Sequence, residues 1–142
     1  MDVAVTTQMF LGARAVWEPK VIDSVFLTRA EPLSIGLSSI GAKLKTIYID
    51  DPEGLVINFT GKPKVIISAP VAPGIVEKLN ISSWYQMKPN DFHSINIQNG
   101  TVALDGEREV ELLPGKRVEV ALDINGPYVV DVETVLKGLS GR

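Results

Sequence analysis

Apolar residues fall on every second position through much of the C-terminal half, and turn dipeptides separate the runs. Ile95 and Ile97 alternate with Ser94, Asn96 and Gln98. Val110 and Leu112 alternate with Glu109 and Glu111, and Val118, Val120, Leu122 and Ile124 alternate with Arg117, Glu119 and Asp123. A period of two sends one set of side chains to a core and the other to water, which is the signature of a half-buried strand. Asn99-Gly100, Asp105-Gly106, Pro114-Gly115 and Asn125-Gly126 lie between the runs. Asn-Gly and Asp-Gly suit turns that need positive φ at both central residues, and Pro-Gly suits a type II turn. The spacing predicts a meander of about five short strands over residues 91–131.

The N-terminal half is also strand-rich. Strands are expected at 2–7, 12–17, 24–29, 32–38, 44–49, 54–60 and 64–69. Glu18-Pro19 can open a short helical turn, since proline tolerates the first helical position. Residues 74–80 read as a second short helix. Pro63, Pro70 and Pro73 favour edges or loops. The chain ends in an expected helix: Asp131 is a plausible N-cap, and Val132, Val135, Leu136 and Leu139 share one helical face. The fold class is therefore mainly β, an antiparallel sandwich with a short C-terminal helix, with residues 1–142 as one domain.

Composition narrows the chemistry. The formal net charge is −3, which argues against nucleic acid as a partner, because phosphate neutralisation needs a basic face. Without cysteine there are no disulfides or thiolate metal sites. No apolar run approaches bilayer length and no signal peptide is evident, so no membrane role and a cytoplasmic location are the expectation.

The single histidine, His93, rules out a histidine metal cluster and reads as a structural or surface residue. Neither a G-x-x-x-x-G-K-[ST] loop nor a G-x-S-x-G elbow occurs. Gly36-Leu37-Ser38-Ser39-Ile40-Gly41 has two readings. It is either a tight connection between strands, the plainer one, or a small-residue loop that brings backbone N–H groups to a phosphate. Asp50, Asp51 and Glu53 could hold a hard cation, but Asp-Pro-x-Gly is ordinary turn chemistry.

One segment goes beyond generic β structure. Ala103-Leu104-Asp105-Gly106-Glu107-Arg108-Glu109 resembles the "ALDGERE" stretch in the C-terminal domain of ATP-NAD kinase-like proteins, including those related to acetoin-catabolism protein X. Gly12-Ala13-Arg14-Ala15-Val16-Trp17 is similar to a "GARAVW" stretch near the start of that domain. Thr28-Arg29-Ala30-Glu31-Pro32 and then Ala69-Pro70-Val71-Ala72-Pro73-Gly74, similar to "P-I-A-P-G", follow in the family's order.

The resemblance implies a β-sandwich of the NAD kinase and diacylglycerol kinase superfamily. There it follows an α/β lobe with a GGDGT signature, and nucleotides lie in the cleft between the two. By that resemblance Asp105, Gly106 and Glu107 face ATP or NAD with Mg²⁺, and Arg14, Ser38, Ser39 and Gly41 are further cleft candidates. No GGDGT segment occurs in these 142 residues. The expectation is thus a subunit of a split kinase, partnered by a separate α/β kinase lobe and not catalytic alone. The alternative is a non-catalytic nucleotide- or protein-binding or assembly module, with a homo-oligomer as one form of it. At the turn itself, a plain hairpin stands beside the nucleotide role.

Overall fold

A computed structural model describes residues 1–9, 19–106, 108–126, 128 and 130–140. The strands are β1 (Asp2–Thr6), β2 (Ile22–Leu27), β3 (Gly54–Asn58), β4 (Val65–Ala72), β5 (Ile75–Ile81), β6 (Ser83–Met87), β7 (Phe92–Ile95), β8 (Gly100–Leu104), β9 (Arg108–Leu112) and β10 (Val118–Ala121). The helices are α1 (Leu37–Ala42) and α2 (Val132–Ser140), and a single 3-10 turn spans Pro19–Val21.

Six strands form one antiparallel sheet in the order β6-β3-β2-β1-β8-β9, and it does not close into a barrel. Its central strands carry the nearly continuous apolar runs Val3-Ala4-Val5 and Val25-Phe26-Leu27. All six of these residues are buried, because both faces of the sheet are covered. On one face Ala4, Val25, Leu27, Leu55 and Ile57 meet the β4–β5 hairpin, through Ile67, Leu79 and Ile81, and the helix α1, through Ile40. On the other face Val5, Phe26 and Val56 meet the two-stranded ribbon β7–β10, through Ile95, Val118 and Val120. The molecule is mainly β, with antiparallel sheets and a short C-terminal helix.

Several expectations need correction. Residues 74–80 are strand β5, not helix. Gly74, at φ 75, completes a tight turn after Pro73, and β-branched Ile75, Val76 and Ile81 suit a pleated surface. Residues 32–38 are not a strand: Pro32 lies in a turn and the chain enters α1 at Leu37. Over 44–49 only the single bridge between Ala30 and Ile47 forms. Four strands, not five, occupy the described part of 91–131, and they are not a simple meander: β7 pairs with β10, and β8 pairs with β1 and β9. Strand β6 is an addition to the expected set. The expected strand at 12–17 lies outside the described residues. No helix among the described residues is long and apolar enough to cross a membrane.

Candidate functional site

The Asp105-Gly106 turn joins β8 to β9. Asp105 has φ 50 and Gly106 has φ 70, the left-handed pair that the dipeptide suggested. Glycine takes such a φ at no steric cost and aspartate tolerates it, and a Cβ on Gly106 would meet nothing within 4 Å. The glycine thus serves the turn's backbone, and the space above it is open. The Asp105 carboxylate accepts a hydrogen bond from the Asp2 N–H at 2.7 Å, while the Asp105 N–H donates to the Asp2 carbonyl at 2.9 Å. This reciprocal pair locks the turn to the first residue of β1. The Asp2 carboxyl is held above the usual carboxylate range, chiefly by burial. The nearby Asp105 charge raises it further, and the terminal ammonium opposes the rise.

From Asp2 the contacts run across the same end of the sheet. The Thr28 N–H donates to the Met1 carbonyl at 3.2 Å, and the Thr28 hydroxyl donates to the same carbonyl at 3.1 Å. Arg29 then grips Glu31 through two hydrogen bonds, at 2.6 and 3.1 Å. Ser38 Oγ donates to the Arg29 carbonyl at 3.0 Å and accepts from the Glu31 N–H at 3.2 Å. The Ser34 hydroxyl bonds the Glu31 carbonyl and lies 3.0 Å from Ser38 Oγ. A small hollow of about 60 Å³ opens here too, between Met1, Thr28, Gly54 and the end of β10.

The structure thus brings Asp105, Gly106 and Ser38 to one end of the central sheet. It gives Ser39 and Gly41 other tasks. Ser39 is buried, and its hydroxyl lies 2.7 Å from the Gly36 carbonyl and 2.8 Å from that of Pro70, tying α1 to β4. A Cβ on Gly41 would sit 2.6 Å from Leu27 Cδ1 and 2.8 Å from Ala30 Cβ, so its absence lets α1 lie close against β2. The stretch 36–41 is thus neither a direct strand connection nor an open loop, but a six-residue helix entered through Gly36 at φ 86. Arg14 and Glu107 lie outside the described residues.

The acidic turn is committed locally. Asp51 accepts from the Tyr48 N–H at 2.7 Å and Glu53 from the Gln86 amide at 3.1 Å. Among the described residues no group of three metal-ligating side chains comes together.

The family profile described as "Acetoin catabolism protein X C-terminal domain" matches residues 1–125, a span that holds the whole end of the sheet just described. The chain belongs to this family. A curated relative, "Acetoin catabolism protein X" of Cupriavidus necator, is 31% identical over 139 residues. That match takes in 96% of this chain but 39% of the relative, so the chain spans about two-fifths of the length of the protein it resembles. No solved structure matches.

Within the acetoin catabolism protein X family match lie Asp2, Thr28 and Arg29, which sequence reasoning did not single out as site residues. Thr28 and Arg29 stood in a motif of the resemblance, but nothing local in the sequence links them to Asp105. That link comes from β1 lying between β2 and β8.

Proposed function

We propose that this domain forms one wall of a nucleotide-binding cleft, and that a separate α/β lobe supplies the phosphate-binding glycines and closes it. ATP or NAD with Mg²⁺ is the ligand class, from the likeness to ATP-NAD kinase-like proteins. The observation that carries the reading is the convergence of the Asp105 turn, Thr28–Glu31 and Ser38 on one end of the sheet. The Asp105 Oδ1 is held by a backbone N–H, which orients the carboxylate so that Oδ2 can accept from a ribose hydroxyl. Phosphoryl transfer relies on positioning and charge stabilisation from both walls of a cleft, so the domain alone does not catalyse. The relative's name ties that protein to acetoin catabolism, and the same setting is proposed for this chain.

Calorimetric titration with ATP·Mg²⁺ and with NAD tests the reading. It is run on the domain alone and with the part of the Cupriavidus necator relative that lies outside the match. Binding that appears or tightens with the added part, and is lost in Asp105→Ala, supports it. Binding indifferent to Asp105→Ala, or none in either setting, overturns it.

A second reading, a non-catalytic assembly module, is favoured by α2. Its Val132, Val135 and Leu139 are exposed by 60%, 50% and 61%. A homo-oligomer that dissociates on Val135→Asp, seen as mass in solution, would favour this reading. A monomer at all concentrations would remove it.

A further inference from the structure

A groove of about 340 Å³ opens at the other end of the central sheet, between the Pro19–Val21 turn, the exit of β3 and strand β5. Ile22 and Leu27 close opposite ends of β2, about 16 Å apart at the rise of a strand, so the groove is separate from the Asp105 end. Its volume lies at the lower end of the range for small-molecule sites. Ile22 and Leu79 are buried and Phe59 is half-buried, and these three make an apolar floor. Beneath them a void of about 10 Å³, lined by apolar residues including Leu37, Ile40 and Val71, is too small and too apolar to hold water.

The mouth is charged. Lys20, Lys78 and Glu77 line it, all exposed, and none enters an ion pair among the described residues. Among the lining residues, two ammonium groups and one carboxylate leave a surplus of one positive charge, and the Asp23 carboxylate lies behind Thr60, outside the lining. Thr60 is already engaged, its hydroxyl 2.5 Å from the Asp23 carboxylate.

We propose that this groove binds a small monocarboxylate with an aryl or short alkyl body. The apolar body lies on Phe59, Ile22 and Leu79, and the carboxylate sits between Lys20 and Lys78. Glu77 selects against a phosphate dianion, whose second charge it repels, so the groove is not a second nucleotide site. A neutral isostere lacks the group that the lysines attract.

The test is an amide chemical-shift titration of the intact chain with benzoate, benzamide and inorganic phosphate. Benzoate is expected to shift Thr60, Lys78 and Leu79 saturably, with benzamide weaker by about tenfold and phosphate not saturating. Lys20→Gln with Lys78→Gln should weaken benzoate by about tenfold. Asn80→Trp, at an exposed position on the mouth, should block it, and Asp105→Ala should leave it unchanged. No saturable shift at these amides, equal binding of benzamide, or saturation by phosphate overturns the proposal. So does benzoate binding that survives both the lysine pair and Asn80→Trp.

Discussion

The two covers of the central sheet are built differently. The β4–β5 hairpin and α1 seal their face: Ile57 and Ile81 are wholly buried and Leu79 nearly so. The β7–β10 ribbon also covers its face, where Val5 and Val56 are wholly buried, but its own Ile95, Val118, Val120 and Leu122 are only partly buried. What the ribbon lacks in burial it partly makes up with a polar pin. The Tyr85 hydroxyl lies 2.5 Å from His93 Nδ1, and the His93 ring meets Phe26 edge-on, with centroids 5.0 Å apart. One cover is therefore held by buried apolar area, and the other by less area plus a few specific contacts. The lone histidine, for which the sequence allows a structural or a surface role, stands in the second and is half-buried.

The contrast is broken most directly by truncation. Leu79→Ala should cost about 2–5 kcal/mol, as a buried leucine loses its contacts and leaves a cavity. Val120→Ala on the ribbon should cost only about 1 kcal/mol, because that side chain is only partly buried. Denaturant midpoints measure both, and equal losses would erase the distinction. Gly41→Val should cost about 1–3 kcal/mol by pushing α1 off β2, with Gly41→Ala milder.

His93→Ala should cost about 1 kcal/mol from the lost hydrogen bond. Its sharper readout is hydrogen exchange, faster in β7 and β10 and unchanged in β5. A uniform change would mean the two covers are not independent.

The smallest effect is alkaline. Burial, and then the charge of Asp91, hold the Tyr85 phenol above its ordinary value of 10.0. Its folded form resists ionisation, so its contribution is complete below pH 10 and is lost as pH rises through the raised value. A phenolate absorbance titration should show one tyrosine ionising late, and Tyr85→Phe should remove that step.

The legible and illegible parts of this fold divide along a physical line. Period-two patterning marks β3, β9 and β10, and Asp131 caps α2 as expected, accepting from the Thr134 N–H at 3.0 Å. These are local signals. Strand β5 is not legible as a strand because Ile75, Val76, Leu79 and Ile81 do not alternate cleanly: both faces of its first four residues are exposed. The pairing of β7 with β10 was invisible, since alternation identifies a strand and not its neighbour. At the candidate site the Asp105 turn was readable from Asp-Gly alone. Its bond to Asp2 was not, because that contact exists only once β1 lies beside β8.

The place of β1 also bears on how the chain reaches this form. Its residues 3–6 pair with 104–101, and the bond from Asp2 to Asp105 joins positions 103 apart in sequence. A ribosome therefore releases β1, one of the two central strands of the sheet, before its neighbour β2 and long before its other neighbour β8. Until β8 emerges, β1 and β2 present an open edge lined by Val3, Ala4 and Val5. Such distant closure slows folding and lengthens the time that this edge can meet another chain, so nascent molecules should depend on chaperones until β8 is in place.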